Sequence, residues 1–129
     1  MNISHIALYT NDIERTREFY LKYFGGVSGV KYRNNLTGFS SYFIRFDGGT
    51  SLEIMNLPGL ASHSPHEGEA SCGWAHLAFR VESRERVCEL CETLRRDGIT
   101  VSSEPRVTGD GYFECVILDP DGNTVEITA

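Results

Sequence analysis

The chain has 129 residues and a formal net charge of −6. That length buries a core without staples, and 40% hydrophobic with 23% charged residues is ordinary for a soluble globular protein. The acidity argues against nucleic acid or an anionic membrane surface as a partner. The opening Met1-Asn2-Ile3-Ser4-His5 lacks the basic region and apolar run of a signal peptide. No stretch of about 18 apolar residues could span a bilayer, so the expected location is cytoplasmic.

In chain order, residues 3–10 alternate as a strand, with Ile6 and Leu8 on one face and His5, Ala7 and Tyr9 on the other. Asn11 offers an N-cap, and Glu14 three residues later offers a capping box. The helix that follows carries Ile13, Thr16, Phe19, Tyr20, Tyr23 and Phe24 as an apolar stripe, and Gly25-Gly26 ends it. A short strand around 30–33, a longer one around 40–46 and a hairpin strand at 50–56 complete a first module, about 1–57. A linker of about 58–73 carries prolines, glycines and serines, with His63 and His66 inside it. A His-Ser-Pro-His cluster can bind metal, but a solvated loop is the simpler reading.

The second module, about 74–129, repeats the first. Residues 74–81 form a strand with His76, Ala78 and Arg80 on one face; Ser83 caps a helix with the stripe Val87, Leu90, Cys91 and Leu94, and Gly98 ends it. Cys88 and Cys91, three apart, read as part of the helix's buried face rather than as a metal or redox pair. Strands near 99–102 and 112–118 lead to a closing turn, Asp119-Pro120-Asp121-Gly122, and the strand carrying Val125, Glu126 and Ile127. The stretch Gly49-Thr50-Ser51-Leu52-Glu53-Ile54 repeats the turn glycine, the alternation and the glutamate of that last hairpin. His76 follows His5 by 71 residues and Glu126 follows Glu53 by 73, so the repeat spans nearly the whole chain. The expectation is one α+β domain, residues 1–129, of two tandem βαβββ modules with concave mixed sheets.

Each module contributes one histidine on its first strand and one glutamate on its last, both facing away from the module's helix. If those strands are neighbours, His5 with Glu53 and His76 with Glu126 form two imidazole–carboxylate pairs. Two imidazoles and two carboxylates suit a divalent metal such as zinc, iron, nickel or manganese. In an octahedral site they leave two positions for a chelating substrate. Open sheets with polar ligands call for a facing partner, so a homodimer is expected.

These residues resemble the vicinal oxygen chelate superfamily, also described as the glyoxalase, bleomycin-resistance and dioxygenase fold, and within it glyoxalase I. His5-Ile6-Ala7-Leu8, then Thr16, Phe19-Tyr20 and Phe24-Gly25, is similar to the N-terminal glyoxalase I signature, with departures at Thr10 and Gly26. Gly73-Trp74-Ala75-His76-Leu77-Ala78-Phe79 resembles the opening of the second module, and Asp119-Pro120-Asp121-Gly122 followed by Glu126 its close. The resemblance implies that His5, Glu53, His76 and Glu126 hold one divalent metal (zinc, nickel, cobalt, manganese or iron). It further implies that Glu126 shuttles a proton between adjacent carbons of a small substrate, as in lactoylglutathione lyases.

The superfamily's other activities stay open as alternatives: an acyl-thioester epimerase, an antibiotic-binding or thiol-transferring resistance protein, and an extradiol-type dioxygenase. Where glutathione-dependent relatives resemble one another in an arginine four residues after the first ligand, this chain has Tyr9. Leu57 and Cys72 replace an asparagine and a second arginine of that pattern, so glutathione is disfavoured as the thiol. Arg80 takes the place in the second module that Tyr9 takes in the first, which makes both candidates for substrate contact.

Overall fold

The computed structural model describes residues 1–61 and 72–129. His63 and His66 lie outside them. The chain divides into two compact units, Met1–His63 and Ser64–Ala129. Two helices and nine strands are found among the described residues, in two mixed sheets. None of the helices is long and apolar enough to cross a membrane.

The first unit runs β1 (His5–Tyr9), α1 (Ile13–Phe24), β2 (Val27–Ser28), β3 (Tyr32–Arg33), β4 (Ser40–Arg45) and β5 (Ser51–Asn56). Its sheet has the order β1-β5-β4-β2, with β3 also on β4. The first and last strands, β1 and β5, are parallel neighbours, His5 opposite Ser51 and Ala7 opposite Glu53. Ile13, Thr16, Phe19 and Tyr20 of α1 are buried, as are Ile44, Leu52 and Ile54 of the sheet, and the helix packs on β4 and β5. The chain leaves the helix through Gly25 at φ 68°, a left-handed conformation that glycine adopts without penalty. Gly26 is needed for a different reason: a Cβ there would lie 2.3 Å from Ile44 Cγ2.

Two local expectations change. The helix is capped by Asp12, not Asn11, because its carboxylate accepts from the Arg15 backbone N–H at 3.0 Å. Glu14 therefore closes no capping box; it binds Lys31 Nζ at 2.9 Å and the Tyr42 hydroxyl at 3.1 Å. The strand expected around 30–33 is two short strands, β2 and β3, which pair with different parts of β4 on either side of an irregular stretch at 29–31. Gly29 N donates to Phe43 O there at 2.8 Å, so the edge stays partly tied across the break.

The second unit runs β6 (Leu77–Arg80), α2 (Arg84–Arg96), β7 (Val101–Val107), β8 (Phe113–Leu118) and β9 (Thr124–Thr128), the βαβββ order of the repeat. The sheet order is β6-β9-β8-β7, and again the first and last strands are parallel neighbours, Ala78 opposite Glu126. Ser83 caps α2 by accepting from Arg86 N at 3.2 Å. Val87, Leu90, Cys91 and Leu94 are buried, with Cys115, Ile117, Val125 and Ile127 buried in the sheet that α2 packs against. Asp119 folds the closing turn around itself, its carboxylate accepting from the backbone N–H of Asp121 at 2.9 Å and of Asn123 at 2.8 Å. The edge strand β7 carries two register shifts, between Val101 and Ser103 and between Ser103 and Arg106. Pro105, which has no N–H to offer a ladder, sits at the second of them.

Cys88 departs from its expected burial. It is exposed while Cys91 is buried, because Cys88 stands 100° around the helix from Val87, outside the stripe of 87, 90, 91 and 94. Burial, above all, raises the pKa values of the Cys91 and Cys115 thiols. Cys72 and Cys88 are free and exposed. Native protein titrated with an aromatic disulfide at pH 8 should therefore release two thiols quickly and the other two only on unfolding. Four fast thiols would contradict the packing described.

Candidate metal and substrate face

Strand alternation decides which side chains meet. On β1, His5, Ala7 and Tyr9 are exposed while Ile6 and Leu8 turn toward the helix side. On β5, Leu52 and Ile54 are buried in the core, which leaves Glu53 on the opposite face. Parallel pairing then brings His5 Nε2 to 3.9 Å from Glu53 Oε2. Phe43, directly across from Glu53 on β4, stands edge-on to the His5 ring with centroids 5.4 Å apart. Ser4 Oγ lies 3.2 Å from the other imidazole nitrogen, Nδ1.

The second unit repeats the arrangement. His76 immediately precedes β6, and its Nε2 lies 3.3 Å from Glu126 Oε2. In both pairs the imidazole side chain is 43% exposed and the carboxylate 15–16%. The nitrogens are thus reachable while the carboxylates are held by the sheet. Two ligand atoms about 2.1 Å from one ion stand roughly 3–3.4 Å apart, so the His76–Glu126 separation already suits two adjacent ligands and the His5–Glu53 separation needs a small side-chain adjustment. Each unit offers one such pair. Among the described residues, no group of three or more His, Cys, Asp or Glu gathers as a metal cluster. Each unit therefore presents one imidazole and one carboxylate side by side.

The surroundings of the two glutamates differ. On β8, Glu114 shares a face with Glu126, one row along, and Arg106 Nη2 pairs with Glu114 Oε1 at 3.3 Å. Burial raises the Glu126 pKa, and the charge of Glu114 adds to the rise; His76 opposes it. Glu53 has no acidic strand neighbour: Phe43 and Ala7 flank it.

Tyr9 and Arg80 are both exposed, on the same face as the His–Glu pair of their own unit and four residues beyond its histidine. Glu114 and Arg106 were not singled out in the sequence. Alternation alone puts Glu114 opposite buried Cys115 in phase, but its nearness to Glu126 depends on the β8–β9 register. A cavity of about 280 Å³ opens elsewhere, at the start of α1 between Asp12, Arg33, Ser40 and Asn56, and includes none of these histidines or glutamates. The two His–Glu pairs lie on sheet faces and not in that cavity.

A family model described as the Glyoxalase/Bleomycin resistance protein/Dioxygenase superfamily matches residues 2–127, and the chain belongs to that superfamily. A lactoylglutathione lyase of Arabidopsis thaliana is 30% identical over 131 residues, covering 95% of this chain but 42% of the relative; the chain thus spans less than half its length. The protein YqjT of Bacillus subtilis is 31% identical over 130 residues, covering 97% of this chain and 96% of the relative. The crystal structure of a glyoxalase family protein from Enterococcus faecalis superposes with a TM-score of 0.79 over 99% of this chain and 97% of that one, at 24% identity, and so supports the fold.

The Glu126 environment has a consequence for the metal-free protein. Its folded pKa lies above the ordinary value of 4.5, so the unfolded chain releases this proton first and stability falls as pH rises through the window above 4.5. Glu126→Gln removes that penalty. In metal-free protein, the variant should melt at a higher temperature than wild type at pH 7, and the gap should close on acidification below the ordinary carboxylate pKa. A variant less stable at pH 7 would show that the carboxylate is not disfavoured by its neighbours.

Proposed function

We propose that the chain is a metal-dependent lyase or isomerase of glyoxalase I type, acting on a small oxygen-chelating substrate. The observation that carries the reading is the same imidazole–carboxylate pair, His5–Glu53 and His76–Glu126, on the helix-free face of both sheets. Family membership and similarity to lactoylglutathione lyases support it. Two half-sites complete one ligand set: His5, Glu53, His76 and Glu126 hold one divalent ion. Two copies of the chain carry four half-sites, and the reading includes a homodimer.

A divalent ion, when bound, supplies Lewis acidity toward an oxyanion formed next to the reacting carbon. The remaining work falls to the protein's own side chains. His5, His76 and Glu53 fix the ion and orient the substrate's oxygens. Glu126 takes a proton from one carbon and returns it to its neighbour. Burial, and then its acidic neighbour Glu114, make the ionised state costly, which favours accepting that proton. The small aromatic surface of Phe43 beside His5 offers an apolar wall for a non-polar substituent.

Metal content and turnover test the reading together. Protein purified without chelator should carry a divalent metal, and Glu53→Ala and His76→Ala should each reduce its retention by about tenfold or more. Methylglyoxal presented with a panel of thiols should be turned over by the loaded protein. Glu126→Gln should lower kcat by about 10²–10⁴-fold with metal still retained. Unchanged metal content in both alanine variants rules out the ligand set. Racemisation of an acyl thioester without methylglyoxal turnover would move the assignment to an epimerase.

A further inference from the structure

On the helix-free face of the second unit, one cross-strand row beyond Glu126, four polar side chains stand in line. Arg80 of β6 is opposite Thr128 of β9, Thr128 is opposite Glu114 of β8, and Glu114 is opposite Arg106 of β7. Three of these have settled environments or none to settle: Glu114 and Arg106 pair with each other at 3.3 Å, and Arg80 is exposed. Thr128 does not. It is 8% exposed, and its hydroxyl is the one buried side-chain oxygen or nitrogen without a hydrogen-bond partner among the described residues. Buried hydroxyls are nearly always partnered, and an orphan calls for a missing partner. Arg80 makes no ion pair among the described residues; its guanidinium lies 6.0 Å from the centroid of the Tyr112 ring. An orphan hydroxyl and an unopposed guanidinium therefore occupy adjacent positions of one row.

We propose that Arg80 and Thr128 form a carboxylate-binding subsite for one arm of the substrate. The subsite rests on the reading that the His76–Glu126 face is where substrate binds. A carboxylate supplies what both groups lack: two acceptor oxygens for the guanidinium and one acceptor for the hydroxyl. The charges nearby favour a singly charged group. Arg106 is cancelled by Glu114, and Glu126 and Asp110 add negative charge close by, so a phosphate dianion meets more repulsion than one cation offsets. Two strand residues separate the row from that of Glu126, about 7 Å, so the carboxylate belongs to an arm and not to the reacting carbons. The first unit shows the asymmetry. Its matching row is Tyr9, Met55, Ser41 and Tyr32, with no cation. The charged arm is thus assigned to the face of the second unit.

Nitrogen-edited NMR of the protein as purified, following Arg80 Nε–H and the Thr128 backbone N–H, tests the subsite without turnover. Propionate should produce saturable shifts at both, propionamide none, and methyl phosphate weaker ones than propionate. Arg80→Met and Thr128→Val should each weaken propionate binding, Arg80→Met by about tenfold. Thr128→Val keeps the side-chain shape and removes an orphan hydroxyl, so its thermal midpoint should not fall; that separates lost binding from lost fold. Where thiol adducts of methylglyoxal are turned over, Arg80→Met should raise KM about tenfold for the mercaptoacetate adduct. For the mercaptoethanol adduct, which carries no carboxylate, the same variant should raise KM by less. Propionate binding at these residues with no turnover of any adduct would retain the subsite and sink the lyase reading. No saturable shift, an equal response to propionamide, or tighter binding of methyl phosphate would overturn the subsite.

Discussion

The parallel pairing of first with last strand in each unit is the constraint on which the rest depends. A parallel neighbour cannot be reached by a tight turn, so the chain must cross over, and in both units an α-helix and the intervening strands do so. The crossover covers one face of the sheet with apolar helix residues and leaves the other bare. His and Glu, placed on β1 and β5 or just before β6 and on β9, then meet on the helix-free face. The carboxylates are held at 15–16% exposure by backbone that is itself fixed in a ladder, which suits a site where small displacements matter.

The same scaffold carries different electrostatics in its two halves. Around Glu53 the neighbours are Ala7 and Phe43; around Glu126 they are Ala78, Val116 and, one row on, Glu114. Burial and, after it, the charge of Glu114 disfavour the charged form of Glu126, which suits a group that exchanges a proton. The proton-exchanging role proposed for Glu126 follows from that burial, to which one acidic residue on β8 adds. Arg106 reaches Glu114 through an irregularity: without the shift beyond Ser103, the β7 ladder would put Pro105 opposite Glu114.

Much of this was legible in the sequence because it depends on short periods and on repetition. Two-residue alternation placed His5, Ala7 and Tyr9 together, and 3.6-residue spacing picked out Val87, Leu90, Cys91 and Leu94, all four buried. The repeat paired each histidine with a glutamate, and the parallel neighbours bear out that pairing within each unit. What escaped depends on contacts between strands or on competition among near-equivalent groups. Asp12 outcompetes Asn11 as a cap through one hydrogen bond to Arg15. The break between β2 and β3 reflects where the edge can follow β4. Arg106 and Glu114 meet only because β7 is bulged, and Thr128 reads in sequence as one more strand threonine. Its orphaned hydroxyl appears only once its neighbours are known.

The proposed ligand set of two imidazoles and two carboxylates is tested most directly by X-ray absorption at the K-edge of whatever divalent metal the protein carries as purified. The expected spectrum has a shell of nitrogen and oxygen at about 2.0–2.2 Å, with multiple scattering from two imidazole rings, falling to one ring in His76→Ala. A sulfur shell at about 2.3 Å, or a spectrum unchanged by that substitution, would contradict it.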